Sequence, residues 1–293
     1  MTARLCILTP DRHDFAYDSR WREVVARNAE PLRAAGMSVE ERSWTAADDL
    51  GIFDLVMPLL VWGYVRAYGQ WIERIGAWES QSVRLRNPAS VLRWNADKSY
   101  LGVLEKKGAP VVPALYPERV SIEVMERAAA AFGTDRLVAK PRISHSAWKT
   151  IRWSPGDGIE EGPAGPAIVQ PYLPAIETDG ELSLIFFGGE YSHSVRKVPQ
   201  PGDFRVQPEY DGIISACVPE ADEMEAARTI LEAVEEDLLY ARIDLARGLD
   251  GGPVLIELEL IEPDLYLGYD PAKGAGFAEA VARCLREDVR QVG

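Results

Sequence analysis

The sequence contains few of the residues that build disulfides and zinc sites, with 3 cysteines and 3 histidines among 293 residues. Cys6, Cys217 and Cys284 lie far apart and fit neither a disulfide framework nor a zinc-ligand spacing. We therefore expect core thiols in a protein of a reducing compartment. The histidines are isolated too, and none has a second histidine four residues away, which argues against a histidine-held metal.

Long apolar runs are also missing. The longest, residues 55–62, contains Pro58 and is too short to cross a bilayer. The early run at residues 5–8 is too short for the apolar core of a signal peptide. These features predict a cytoplasmic protein that does not contact a membrane.

Basic residues are fewer than acidic residues, 32 against 46, which gives a net charge of -14. Such a surface argues against a broad nucleic-acid footprint, although it leaves room for a small basic pocket, and its main effect is on solubility. No G-x-x-x-x-G-K-[ST] loop and no G-x-S-x-G elbow occur. The pair Gly274 and Gly276 lacks the third glycine of a dinucleotide loop. A P-loop, a Rossmann site and a serine-hydrolase site are therefore not predicted.

The order of predicted elements divides the chain into three parts: an N-terminal α/β domain at 1–90, a central domain at 91–172 and a C-terminal domain at 173–293. Apolar periodicity and turn residues predict the elements. The predicted strands are 4–8, 39–42, 54–60, 136–140, 167–172, 181–187, 190–197, 241–245 and 254–261. The predicted helices are 20–35, 72–78, 97–107, 121–132, 220–238 and 277–289.

Two lysines stand out by position. Lys98 ends the run Trp94–Asn95–Ala96–Asp97–Lys98 at the start of a predicted helix, and Lys140 ends the apolar strand Leu137–Val138–Ala139. A lysine delivered by a buried strand is costly unless an anion meets it. The alternative is an edge-strand lysine that points to solvent. The strand Ile168–Val169–Gln170–Pro171–Tyr172–Leu173 runs into a proline-bent connection that can present backbone groups to a purine edge.

Three carboxylates give the most specific signal. Strand alternation places Glu257 and Glu259 on one face of the segment Ile256–Glu257–Leu258–Glu259–Leu260. Two such carboxylates repel unless a cation lies between them. Asp244 lies on a neighbouring apolar strand, and this set of hard oxygen ligands suits Mg²⁺ or Mn²⁺ bridging phosphate oxygens. The alternative is a solvated strand face.

These features follow one another in the order lysine, lysine, strand 168–173, Asp244 and E-x-E segment. In this order they resemble the ATP-grasp superfamily. The likeness is to the branch that contains glutathione synthetase and the ribosomal-protein glutamate ligases. It implies an α/β protein with an N-terminal open α/β domain, a central α+β lid and a C-terminal mixed-sheet domain. The amino-acid sequence along the whole chain is similar to that of the cycloserine synthetase cyclo-ligases, notably at residues 91–98, 202–206 and 257–263.

The resemblance implies a role for each residue. Lys98, Lys140 and Ser144 would contact the phosphates of ATP, while Gln170, Pro171, Tyr172 and Leu173 would hold adenine. Asp244, Glu257 and Glu259 would bind two magnesium ions. Arg196, Lys197 and Arg205 would be the catalytic cations that face the phosphoryl group and the acid substrate.

The sequence departs from the family pattern at three places. Glu259 occupies a position where relatives commonly have asparagine. Residues 142–150 lack the glycines of the usual phosphate loop. In the segment 58–64, Leu59 and Gly63 stand where relatives tend to have an arginine and an aspartate, so the identity of the substrate does not carry over.

The resemblance implies a carboxylate–amine ligase that forms a C–N bond, as an amide or a ring, through an acyl phosphate. Its partners would be a small carboxylic acid, such as an amino acid or a derivative, and an amine-type nucleophile. The alternatives are a kinase-like phosphotransferase and a non-catalytic nucleotide-binding protein. Neither the acid nor the assembly follows from the sequence, and a homodimer stays open.

Overall fold

The structure is a computed structural model, and it describes residues 2–11, 20–145, 148–199 and 212–292. Arg205 and the segment 202–206, predicted to face the substrate, lie outside the described residues. Ser146, in the predicted phosphate loop, lies outside them as well. None of the described helices combines the length and the apolar composition needed to span a bilayer.

The N-terminal domain is built on a parallel three-stranded sheet of order β2-β1-β3. Its elements are β1 (Arg4–Thr9), α1 (Arg20–Ala34), β2 (Ser38–Ser43), β3 (Leu55–Met57) and α2 (Tyr68–Ser80). Leu5 and Ile7 on β1 pack into one core with α1, while Cys6 and Leu8 pack into a second core with Trp71 of α2. Both faces of this sheet are therefore buried, which explains why its central strand is almost entirely apolar.

The central domain is a three-stranded antiparallel sheet of order β5-β4-β6, covered by one helix. The strands are β4 (Leu137–Pro141), β5 (Ile151–Trp153) and β6 (Ala167–Pro171), and the described helices of this part are α3 (Ala89–Asn95), α4 (Tyr100–Lys106) and α5 (Ile122–Phe132). The predicted caps of α5 are present: Ser121 Oγ accepts a hydrogen bond from Val124 N, and Gly133 ends the helix at φ +66°.

The C-terminal domain is a five-stranded sheet of order β11-β10-β7-β8-β9. Its elements are α6 (Ala175–Thr178), β7 (Glu181–Phe187), β8 (Glu190–Val198), β9 (Ile213–Cys217), α7 (Ala221–Glu232), β10 (Tyr240–Arg247), β11 (Pro253–Glu259) and α8 (Ala275–Val292). Every pairing among its described strands is antiparallel, and a parallel bridge joins Val111 to Leu255 on β11. One face, with Leu184, Ile243 and Leu258, is apolar and packs with α7 and α4. The opposite face carries a cluster of charged residues.

Side chains from residues 87–100 cover the edge strand β11. Asn95 Nδ2 donates to Leu258 O at 2.8 Å, and Asn95 Oδ1 accepts from Leu260 N at 2.9 Å. The Tyr100 hydroxyl accepts from Leu258 N at 2.8 Å, and Asn87 Nδ2 donates to Leu260 O at 2.9 Å. These bonds satisfy an otherwise open strand edge. They also fix the turn that carries Asp97 and Lys98 beside β11.

Three predicted elements are clearly shorter in the structure. The predicted helix at 97–107 starts only at Tyr100, so Lys98 lies in the turn between α3 and α4. The predicted strand at 54–60 ends at Met57, because Pro58 cannot donate to a sheet ladder. The predicted helix at 220–238 stops at Glu232, since acidic residues at positions 235–237 oppose the negative end of a helix dipole.

Candidate active site

The three predicted metal ligands lie together on the polar face of the C-terminal sheet. Asp244 on β10 pairs with Glu257 on β11, and Arg242 pairs with Glu259 two residues along. One oxygen each from Asp244, Glu257 and Glu259 lies within 4.8 Å of the others. A bulge between Asp244 and Leu245 shifts the register after this pair. Bulges of this kind re-aim side chains, and this one lies directly beside the carboxylates.

Asp244 is the most tightly held of these carboxylates. Its Oδ2 accepts from Arg242 Nη2 at 2.8 Å and lies 3.7 Å from Lys197 Nζ, while Oδ1 accepts from the Ser183 hydroxyl. Burial by itself would raise the pKa of Asp244, but the charges of Arg242 and Lys197 outweigh burial and lower it to about 2. Asp244 is therefore ionised throughout the physiological range.

Glu259 has the opposite electrostatic character. Burial raises its pKa to about 8, and the charges of Glu257 and Asp244 add to this effect, although Arg242 opposes it. Arg242 Nη2 donates directly to Glu259 Oε1. The guanidinium thus lies between the carboxylates of Asp244 and Glu259 and forms an ion pair with each.

Lys98 connects the turn after α3 to the carboxylate cluster. Its ammonium lies 3.0 Å from Glu257 Oε1 and donates to the carbonyl of Ser144 at 2.6 Å. Ser144 is buried, and its hydroxyl donates to Pro141 O at 3.0 Å. In this structure Ser144 therefore contributes a carbonyl to Lys98, and its hydroxyl is engaged by the backbone.

Lys140 lies near the end of β4, on the side of the central domain that faces this cluster. Burial lowers the pKa of Lys140, Glu257 opposes that effect, and the neighbouring charge of Lys98 adds to it.

Lys197 on β8 is buried and forms an ion pair with Glu181 on β7. Burial would lower the pKa of Lys197, but Asp244 and Glu181 raise it well above its ordinary value.

The predicted adenine-binding strand is β6 with the residues that follow it. Gln170, Pro171, Tyr172 and Leu173 are all buried. Gln170 Nε2 has no hydrogen-bond partner among the described residues. A buried amide donor without a partner is costly. The Nε2 donor of Gln170 fits a strand that binds a ligand with hydrogen-bond acceptors, such as a purine.

The structure does not bring Arg196 to the cluster. Arg196 precedes Lys197 on β8, so its side chain emerges on the opposite face of the sheet. There it donates to Glu223 Oε1 at 3.0 Å and to the carbonyl of Asp179 at 3.2 Å. The predicted pairing of Arg196 with Lys197 at one site overlooked this alternation.

Sequence reasoning missed Arg242, Glu181 and Glu262. Arg242 precedes Asp244 by two residues on one strand, so the alternation used for Glu257 and Glu259 would have placed it on the same face. Glu262 follows β11 and has no ion pair or hydrogen bond with any residue in the described part of the chain. Burial raises the pKa of Glu262 well above its ordinary value, and Glu259 adds to this effect.

Several known proteins are similar to this chain. Residues 5–87 match the family model described as D-cycloserine synthetase DcsG, N-terminal domain. The cycloserine biosynthesis protein DcsG of Streptomyces lavendulae is 28% identical over 290 residues, covering 88% of this chain and 92% of that protein. The crystal structure of D-cycloserine synthetase DcsG superposes with a TM-score of 0.81 at 24% identity, over 97% of this chain and 100% of that one.

Two further solved structures show bound nucleotide. D-alanine–D-alanine ligase from Bacillus anthracis, complexed with ATP, has a TM-score of 0.68 at 15% identity and full coverage of both chains. The ATP-grasp ligase PsnB, complexed with its minimal precursor, Mg and ADP, has a TM-score of 0.65 at 17% identity, over 96% of each chain. The predicted ATP-grasp fold is thus confirmed, and the similarity to DcsG supports ATP-dependent ligase activity that forms an amide or a ring.

Proposed function

We propose that this chain, which has the ATP-grasp fold, is an ATP-dependent ligase that activates a small carboxylic acid as an acyl phosphate for attack by an amine-type nucleophile. One observation carries the proposal. Three carboxylates within 4.8 Å of one another lie beside the ammonium groups of Lys98 and Lys197. The turn after α3, strand β8 and the paired strands β10 and β11 contribute these residues. Such a face can hold both a polyphosphate and its metal ions.

The residues present fit Mg²⁺ and ATP by their chemistry. Asp244, Glu257 and Glu259 are hard oxygen donors, which suit Mg²⁺ or Mn²⁺. The Nε2 group of Gln170, which has no partner in the described part of the chain, and the buried strand around it fit a purine. When bound, magnesium would neutralise phosphate charge and align the transferring group.

In the first step a carboxylate oxygen of the substrate attacks the γ-phosphorus of ATP, and the bond from that phosphorus to the β-bridging oxygen breaks, releasing ADP. Lys98, Lys140 and Lys197 would stabilise the negative charge on the phosphoryl oxygens. Asp244 stays ionised because Arg242 and Lys197 lower its pKa. The chain's role is to orient the reactants and supply fixed charges.

In the second step the nitrogen of the nucleophile attacks the acyl carbon, the bond to phosphate breaks, and the nitrogen loses a proton. The product is an amide, or a ring if the nucleophile belongs to the same molecule. An acyl phosphate hydrolyses in water, so closure of the central domain over the sheet would protect it.

The substrate class we propose is an amino acid or a derivative, because the relative that is 28% identical is named a cycloserine biosynthesis protein. Leu59 argues against transferring the relative's substrate itself. It is buried in the N-terminal core and supplies no charge to the cleft. Gly63 has a left-handed backbone at φ +93°, a conformation that strongly favours glycine. Recognition of the acid must therefore rely on other residues here.

The test is interception of the intermediate. The full chain would be incubated with ATP, Mg²⁺ and single amino acids, first to find those that stimulate ADP release, and then with hydroxylamine in place of the nucleophile. Hydroxamate formed in step with ADP is the expected result. A stable phosphorylated product without hydroxamate would favour the phosphotransferase alternative. ATP binding without ADP release from any acid would favour the nucleotide-binding alternative.

A further inference from the structure

The two lysines assigned to phosphate belong to different parts of the chain, and an ion pair connects the segments that carry them. Lys98 lies in the turn between α3 and α4, and Lys140 lies on β4 of the central domain. Asp97 immediately precedes Lys98, and Arg142 follows Lys140 by two residues. Arg142 Nε donates to Asp97 Oδ1 at 2.9 Å, and Arg142 Nη2 donates to Asp97 Oδ2 at 2.7 Å.

Backbone bonds reinforce this contact at both ends. Lys98 N donates to Arg142 O at 2.9 Å, and Lys98 Nζ donates to Ser144 O at 2.6 Å. On the other side, Arg142 N donates to Pro166 O at 3.1 Å, next to β6. Residues 142–144 therefore bond the turn of Lys98 on one side and the central sheet on the other.

The guanidinium of Arg142 is already occupied. Besides the two bonds to Asp97, it lies 3.4 Å from the Ser99 hydroxyl and 3.6 Å from Glu118. The side chains of Arg142 and Asp97 are only 23% and 24% exposed. A fork–fork pair of this kind fixes both distance and orientation, which a lysine cannot do.

We propose that Arg142 is a positioning residue, whose bidentate pair with Asp97 holds Lys98 and Lys140 at the separation that the phosphates of ATP require. This inference rests on the proposed function. It assigns a role to residues 142–144, at the start of the segment that lacks the glycines of the usual phosphate loop: these residues orient Lys98 through two carbonyls and the side chain of Arg142. Two ammonium groups repel each other before ATP arrives, so a fixed separation must be imposed by other groups.

A purely structural salt bridge is the rival explanation, and partly exposed ion pairs usually contribute little to stability. The two explanations differ in what a conservative change does. If Arg142 positions the lysines, Arg142→Lys should keep the melting temperature near that of the wild type and still weaken ATP binding. If the pair is only structural, any loss of ATP binding should follow the loss of folded protein.

The experiment measures ATP binding calorimetrically with the full chain and Mg²⁺, without any acid substrate. Arg142→Lys and Asp97→Asn should each raise the Kd for ATP by about tenfold, as expected when a ligand-orienting contact is lost. The double variant should be no worse than either single variant, because both remove one interaction. Arg127→Lys, an exposed arginine on α5, is the matched control and should bind ATP like the wild type.

An unchanged Kd in folded Arg142→Lys protein would overturn the proposal, as would fully additive effects of the two changes. This readout does not depend on the ligase chemistry. Wild-type protein that binds ATP but yields no hydroxamate would contradict the proposed function and leave the positioning role standing. Wild-type protein that binds no ATP would contradict both.

Discussion

The ammonium of Lys98 lies 3.0 Å from Oε1 of Glu257, so a residue assigned to phosphate and a residue assigned to metal are ion-pair partners. Their side chains are 10% and 33% exposed. A metal ion that binds Glu257 must therefore compete with Lys98 unless ATP phosphate attracts the ammonium away. Occupancy of the metal site and of the phosphate site should thus be coupled.

Lys98→Met should strengthen the binding of Mn²⁺ and weaken the binding of ATP. Without nucleotide, Mn²⁺ should bind about fivefold more tightly, which corresponds to about 1 kcal/mol for a partly exposed pair. ATP should bind more weakly, because one cation facing its phosphates is gone. Electron paramagnetic resonance of Mn²⁺ and calorimetry with ATP check the two halves. Lys106→Met, at the exposed end of α4, is the control. Weaker Mn²⁺ binding without nucleotide would show that the pair does not compete with metal.

Lys140→Met should weaken ATP binding without destabilising the fold. Burial lowers the pKa of Lys140, which shows that its charge is costly in the free protein. Methionine keeps the length of the side chain and removes that charge. We expect a Kd for ATP at least about tenfold higher, since a charge-assisted contact is lost, with an equal or higher melting temperature. Unchanged ATP affinity in folded variant protein would remove Lys140 from the phosphate site.

Glu257→Gln should shift the magnesium dependence of ADP release. The amide preserves shape, but it is a poorer ligand for a hard cation and cannot balance Lys98. The magnesium concentration for half-maximal activity should rise by about tenfold or more, a typical loss for a perturbed metal site. Glu126→Gln, an exposed carboxylate on α5, is the control. Normal turnover at low magnesium would exclude Glu257 as a metal ligand.

Glu262→Gln should change how stability depends on pH. Burial raises the pKa of Glu262, and Glu259 and Glu257 add to this, while Lys98 and Arg242 oppose it. Because the folded pKa lies above that of the unfolded chain, the stabilising contribution is complete below the unfolded pKa of about 4.3 and is lost as pH rises towards the folded pKa.

Wild-type unfolding free energy should therefore decrease with rising pH more steeply than that of the Glu262→Gln variant, by at most about 1.4 kcal/mol per pH unit for one proton. Denaturant titrations at several pH values between 5 and 9 measure the difference. Glu126→Gln should follow the wild type throughout. Parallel curves for wild type and Glu262→Gln would mean that Glu262 ionises as readily as in the unfolded chain.

Local patterns in the sequence predicted the elements that carry the candidate site. Strand alternation placed Glu257 and Glu259 on one face because successive side chains on a strand point to opposite sides. Ser121 and Gly133 marked the ends of α5 because capping and left-handed backbone have strong residue preferences. The same rule of alternation, had it been applied to β8, would have separated Arg196 from Lys197.

Tertiary structure alone decided which charged groups are partners. Nothing near Lys98 in the sequence indicates that its ammonium meets Glu257, or that Asp97 pairs with Arg142. Backbone stereochemistry acts over a few residues and is therefore readable along the chain. Ion pairs between distant segments depend on how the central domain and β11 are placed, and that placement is set by the side chains of Asn87, Asn95 and Tyr100 at a strand edge.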